Sequence, residues 1–227
     1  VLSVLLENDS PTLKSCKFPF LALLISGGHT QIVKVSGVGL YEVLGQTIDD
    51  AVGETFDKTA LLLGLGYPGG PEVSKLATKG DKNKFNFPMP LCKKDTLDFS
   101  FSGLKTAVLN ETKKNNLEDI NIKRDIAASL EYTISEILSK KCKLAIEKTG
   151  IKRLALSGGV AANDLIRLRL TELSMDLDTQ IFFPTKRLCT DNGTMIAWAA
   201  TQKILSGFVP VSSEKIEVFP RWSLKNI

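Results

Sequence analysis

At 227 residues, 43% apolar and 24% charged, the chain has the composition of a soluble globular protein, long enough for one large domain or two small ones. A net charge of +4 and a pI near 8.8 permit a polyanionic partner such as RNA without arguing for one. Cys16, Cys92, Cys142 and Cys189 lie far apart with no C-x-x-C pair, which excludes the usual zinc spacing and points to free thiols in a reducing compartment. No apolar run approaches the ~18 residues of a membrane span. The chain lacks a basic leader and does not begin with Met, and so reads as starting part-way through something larger.

Val1 to Leu6 reads as the tail of a helix, and 7–17 as a polar loop around Pro11. Phe18 to Ile25 is strongly apolar and predicts a strand, broken by Ser26-Gly27-Gly28. His29 to Val35 alternates, so 20–35 reads as two strands joined at the glycine turn. His29, the only histidine, reads as a turn residue, since one imidazole does not make a typical zinc or iron site. After a short strand or turn over 41–45, a helix is expected from Ile48, with Val52, Phe56, Ala60 and Leu63 on its core stripe and Gly64 and Gly66 ending it. Asp50, Glu54 and Asp57 then fall on one helical face. Either that face is solvated, or its carboxylates line a site for a ribose hydroxyl, a metal-bound water or an amino group. Tyr67 to Pro71 reads as a rigid loop whose amides are open to a ligand, or as a plain turn.

Residues 80–98 form a Lys-rich surface excursion; Lys82, Lys84, Lys93 and Lys94 are either solvated or meet phosphates. A serine-capped helix runs toward Lys114, and a long amphipathic helix covers 125–149 and closes at Gly150. Leu154 to Leu156 then reads as a buried strand, Ser157-Gly158-Gly159 as a turn without Cβ atoms at two positions, and Asn163-Asp164 as the start of a helix carrying Ile166, Leu170 and Leu173. Strand, glycine turn and helix N-terminus in that order make an anion-binding corner. The two Ser-Gly-Gly turns read either as facing lips of one nucleotide cleft or as two tight turns. A β-rich stretch at 180–184 follows. Asp191 precedes a last helix, Thr194 to Leu205, as an N-cap or as a group at the cleft, and the tail ends Pro220-Arg221-Trp222.

This order predicts an α/β fold with a sheet in each half. The fingerprints of P-loop, Rossmann and nucleophile-elbow sites are absent, as is a credible Ser-His-Asp arrangement. Unaided, the residues lead to a nucleotide-sized anion site with acidic flanks and no named substrate.

Six segments go further: FPFLALLISGGHTQIVKV, IDDAVGETFDKTALLLGLGYPGGP, DFSFSGLKTAV, LALSGGVAANDLIRLRL, CTDNGTMIAWAA and PRW. Taken in order, they resemble the tRNA threonylcarbamoyladenosine synthase family, in its bacterial or organellar branch. The resemblance implies an actin-like/sugar-kinase-like α/β fold of two lobes around a nucleotide cleft, here 1–110 and 111–227, with part of the N-terminal lobe absent. It implies transfer of a threonylcarbamoyl group from threonylcarbamoyl-AMP, an ATP-derived nucleotide, to N6 of adenosine 37 in tRNAs reading ANN codons. Carried over by position, Leu24, Ile25, Ser26, Gly27 and Gly28 contact the adenylate, Asp57 and Gly70 lie near its ribose and base, and Asn163 follows the second turn. Asp57 is the candidate general base. Asp191 matches the carboxylate ligand of one divalent metal, iron or zinc, whose two histidine ligands would lie upstream of Val1. The implied partners are tRNA with a non-catalytic paralogue and a small ATPase, or a homodimer if mitochondrial; the implied compartment is the cytoplasm, or else the mitochondrial matrix. The competing readings are a truncated remnant that only binds adenine nucleotide or a protein partner, and a small-molecule kinase of the same superfamily.

Overall fold

The computed structural model describes residues 1–6 and 16–209, so the expectations for 7–15 and for Pro220 to Trp222 lie outside the described residues. Among the described residues five strands, β1 (Phe20–Ile25), β2 (Thr30–Gly37), β3 (Leu40–Gln46), β4 (Arg153–Ser157) and β5 (Gln180–Phe182), form one sheet in the order β3-β2-β1-β4-β5. This corrects the expectation of a sheet in each half. The hairpin strand β1 pairs in parallel with β4, Leu21 opposite Leu154 and Leu24 opposite Ser157. β1 is buried on both faces because its two neighbours and two layers cover it. That explains why Phe20 to Ile25 reads as a continuous apolar run rather than an alternation.

One face of the sheet, with Leu21, Leu23, Ile25, Ile32, Leu154 and Leu156, packs under the main helical layer. That layer comprises α1 (Val52–Leu62), α2 (Gly69–Ala77), α3 (Ser102–Lys114), α4 (Ile120–Thr149) and α5 (Asp164–Leu177). The other face, with Phe20, Ala22, Val33, Val35 and Ala155, meets Val1, Val4 and Leu5 of a short 3-10 helix over Leu2–Leu5. The last described helix, α6 (Gly193–Leu205), closes on that segment through the Trp198 indole N–H, which donates to the Leu2 carbonyl at 3.0 Å. The lobe boundary expected near 110 falls within α3.

Several boundaries differ from expectation for local reasons. α1 begins at Val52 rather than Ile48, because Thr47 to Asp50 is held against Phe99 and Asp49 is spent elsewhere. The Asp49 carboxylate accepts from the Ser100 hydroxyl (2.5 Å), the Phe101 N–H (2.7 Å), the Ser102 N–H (3.2 Å) and the Ser102 hydroxyl (2.8 Å). It caps α3 from across the fold, so the cap is not one of the expected serines. Desolvation works to raise the Asp49 pKa, but these bonds outweigh it and hold the carboxyl below its ordinary value. This contribution to stability is therefore complete at neutral pH and lost only as acid protonates the group below about pH 4. Asp49→Ala should cost about 1–2 kcal/mol, as capping residues do, with m unchanged in urea unfolding at pH 7. α4 starts at Ile120 with the Asp119 side chain as cap, and ends at Gly150 with a left-handed φ of 68°.

Candidate functional site

Both Ser-Gly-Gly turns leave the carboxyl ends of neighbouring parallel strands, so they open on the same edge of the sheet. From there the chain diverges, β1 into its hairpin and β4 into α5, which is where open α/β sheets hold ligands. The two turns touch. Gly158 has φ 97°, and a Cβ there would lie 2.3 Å from the Ile25 carbonyl oxygen. Gly53, in the first turn of α1, is pressed on the other lip, where a Cβ would lie 2.6 Å from the Ser26 carbonyl oxygen. Its N–H donates to that same oxygen at 3.1 Å. In contrast, a Cβ at Gly27, Gly28 or Gly159 would meet nothing within 4 Å.

The first turn is less open to anions than expected. The Ser26 hydroxyl accepts from the N–H groups of Gly28 (3.3 Å) and His29 (3.0 Å), so two of the turn's donors are satisfied internally. His29 lies in this turn, and its carbonyl accepts from the Ser26 N–H.

The acidic row is not a bare face. Asp50 precedes α1, and with Glu54 it shares the Lys58 ammonium at 2.9 and 2.6 Å. The bond from Lys58 holds the Glu54 carboxyl below its ordinary range and raises the lysine. Asp57 accepts from the Gly69 N–H at 2.8 Å, which anchors the start of α2. The stretch expected as a ligand-binding loop at 67–71 is thus partly helix, and Gly69 spends its amide on Asp57. A Cβ at Gly69 would lie 2.6 Å from that of Ala60, so α1 and α2 meet closely here; Gly70 follows directly. Asp57 also lines a cavity of about 300 Å³ with Glu54, Leu61 and Tyr67.

Asn163 joins this assembly to the second turn. Its side-chain oxygen caps α5 by accepting from the Ile166 N–H at 2.9 Å. Its amide donates to the Ser74 hydroxyl of α2 (2.9 Å) and to the Glu131 carboxylate of α4 (2.6 Å). Desolvation pushes the Glu131 carboxyl up, partly offset by the bonds from Ser74 and Asn163. Sequence reasoning missed Ser74 and Glu131. The available signal was a charged residue within the stretch of α4 buried almost all round, where it needs a partner.

Asp191 is exposed, and the N-cap of α6 is Asn192, whose side chain accepts from the Met195 N–H at 3.0 Å. The bland explanation for Asp191 therefore fails. The segment leading to it is tied to the second turn by Arg167 of α5, which donates to the carbonyls of Ala161 (2.6 Å) and Pro184 (2.8 Å). Lys186 adds an ion pair to Asp164 at 2.7 Å. The structure thus sets the second turn against the end of β1 and the first turn against Gly53 of α1, and ties Asn163 to α2 and α4; Asp57 and Gly70 are joined to these contacts only through α1 and α2, and Asp191 only through Arg167 and its neighbours. Among the described residues no three His, Cys, Asp or Glu side chains converge as a metal site.

A family model described as tRNA N6-adenosine threonylcarbamoyltransferase matches residues 2–198. A protein of that name from Bordetella avium is 47% identical over 232 residues, covering 100% of this chain and 66% of the relative. One from Acidovorax sp. (strain JS42) is 49% identical over 228 residues, covering 100% of this chain and 64% of the relative. The chain therefore spans slightly under two thirds of these relatives' length. Among solved structures, full-length HypF in its phosphate- and nucleotide-bound form superposes with a TM-score of 0.65 at 16% identity, over 85% of this chain and 34% of that one. HypF from T. kodakarensis gives 0.62 at 17%, over 83% and 34%. The α/β fold is of the actin-like/sugar-kinase-like class.

Proposed function

The chain belongs to the tRNA N6-adenosine threonylcarbamoyltransferase family, and from that premise we propose that it takes part in transferring a threonylcarbamoyl group from threonylcarbamoyl-AMP to N6 of adenosine 37 in tRNAs reading ANN codons. The exocyclic amine attacks the carbamoyl carbon, and the bond from that carbon to the phosphate oxygen breaks. AMP leaves with the electron pair, and the amine's proton passes to a base or to water. So activated an anhydride needs little covalent help, and placing the two reactants dominates.

One observation carries the reading: Gly27, Gly28 and Gly159 lack side chains where the fold itself leaves room for them. At Gly53 and Gly158 a Cβ strikes backbone, so packing explains the glycine; at these three it does not. A ligand lying on the bare backbone of both lips does explain it. In this reading Leu24 to Gly28 cradle the adenylate, and Asp57 and Gly70 flank its ribose and base. Asn163 holds the second lip; donation from its amide to the adenylate requires it to release Ser74 or Glu131. Asp57 is the base candidate, its second oxygen having no partner among the described residues. A divalent ion, iron(II) or zinc, needs ligands besides Asp191, because one carboxylate is a poor site. The partners implied are tRNA with a non-catalytic paralogue and a small ATPase, or a second copy in a mitochondrial setting. The compartment proposed is the cytoplasm, with the mitochondrial matrix as the alternative; no described helix is long and apolar enough to cross a membrane.

The test pairs AMP titration with a transfer assay on unmodified tRNA. AMP should bind, and Gly27→Val and Gly159→Val should each weaken it tenfold or more while moving Tm by no more than about 2 °C. Full affinity in both variants would end the assignment of the cleft. AMP binding without transfer by the complete assembly would keep the cleft and remove the reaction.

A further inference from the structure

The Lys-rich excursion folds back on α4. Its Lys93 and Lys94 form one wall of a groove of about 370 Å³, and Lys140, Lys141 and Lys143 of α4 form the other. Lys141 is 1% exposed and makes the joint, donating from Nζ to the carbonyls of Leu91 (2.8 Å) and Thr96 (2.5 Å). The two carboxylates of the lining are already engaged: Asp95 pairs with Lys148 at 2.7 Å, and Glu147 lies 3.9 Å from Lys143. Lys93, Lys94, Lys140 and Lys141 have no carboxylate partner among the described residues. Five lysines against two carboxylates leave the lining with a net charge of +3, where the whole chain carries +4.

We infer that this groove is a docking surface for the phosphodiester backbone of RNA, lying along α4 away from the glycine cleft. The inference rests on the reading that tRNA is the acceptor, and it adds where that acceptor is gripped. Lysines are point charges on flexible stems and hold phosphates at many angles, which suits a repeating backbone. A single small anion asks for convergent fixed donors, and the one buried cation here spends its bonds on two carbonyls. A protein partner asks for an aromatic or broad apolar anchor, and this groove offers no aromatic ring and only the half-buried Leu144 among its lysines. Along α4, Lys140 and Lys143 are about 14–18 Å from Glu131, which borders the cleft, at 1.5 Å per residue. RNA held there is therefore near the site without blocking it.

The experiment measures binding of unmodified tRNA by the whole chain as salt is varied. The triple variant Lys93→Glu, Lys94→Glu, Lys140→Glu is compared with Lys79→Glu, Lys113→Glu, Lys152→Glu, which changes net charge equally elsewhere. The groove variant should lose tenfold or more in affinity, with the slope of log K against log salt shallower by about 2–3. The control should lose less than threefold, and AMP affinity should hold in both. Equal losses in the two variants, or none in the first, overturn the inference. So does tighter binding of polyglutamate than of RNA by the wild type with loss in the groove variant, which would assign the surface to an acidic protein. Failure of AMP binding alone would remove the proposed adenylate cleft and leave the groove standing.

Discussion

Gly158→Ala is expected to destabilise the protein by about 3 kcal/mol or more and to abolish AMP binding, the largest effect of any methyl-sized change at the site. Two independent costs add. At φ 97° and ψ 165° the residue sits in a region nearly reserved for glycine, worth about 1–3 kcal/mol for any side chain. The new Cβ also lies 2.3 Å from one backbone atom and 2.8 Å from another of Ile25, and backbone cannot swing aside as a flexible side chain can. Relief requires β4 to part from β1, the pairing that brings the two lips together. Gly159→Ala, one residue on, is the control: its Cβ meets nothing, so urea unfolding should show a change within about 0.5 kcal/mol. Near-equal stabilities of the two variants would show that the contact between the lips does not matter energetically.

The second large effect is at Glu131. Glu131→Leu should cost about 2–3 kcal/mol, because it removes the acceptor of the Asn163 amide at a 7%-exposed position and leaves that donor and the Ser74 hydroxyl without their carboxylate. Glu131→Gln keeps the shape and an acceptor oxygen, and should be neutral or stabilising at pH 7. The sign comes from the raised carboxyl. Between its unfolded value, about 4.3, and its higher folded value, the native state binds more protons than the unfolded state. Wild-type stability therefore falls as pH rises through that window. The glutamine variant should lack that fall. Unfolding measured from pH 4 to 7.5 distinguishes the three proteins, and parallel curves for wild type and Glu131→Gln would show that Glu131 does not titrate abnormally. Weakened AMP binding in Glu131→Leu, restored in Glu131→Gln, would mark Glu131 as a residue that positions the second lip.

Elements with strong periodicity or clear punctuation were legible from sequence. The β1–β2 hairpin, the α4 core stripe and the strand–turn–helix around Gly158 all appear where the residues place them. α2 was hidden, since Tyr67 to Pro71 is dense in residues that usually break helices. Here Pro68 is the N-cap residue and Pro71 falls in the first turn, where a missing N–H costs nothing. The sequence pattern places Asp49 in α1, because nothing local reveals a carboxylate that caps a helix some fifty residues later. The same limit hid the single sheet, since pairing of β1 with β4 depends on long-range packing. At the site, the glycines and Asn163 stood out by type and position. Ser74, Glu131 and Arg167 act through contacts between separate helices and loops, and no local pattern announces them.

The Trp198 bond to the Leu2 carbonyl holds the middle of α6 against the first described segment of the molecule. A probe placed on that short helix would therefore lie beside α6, the helix that follows Asp191 in the chain.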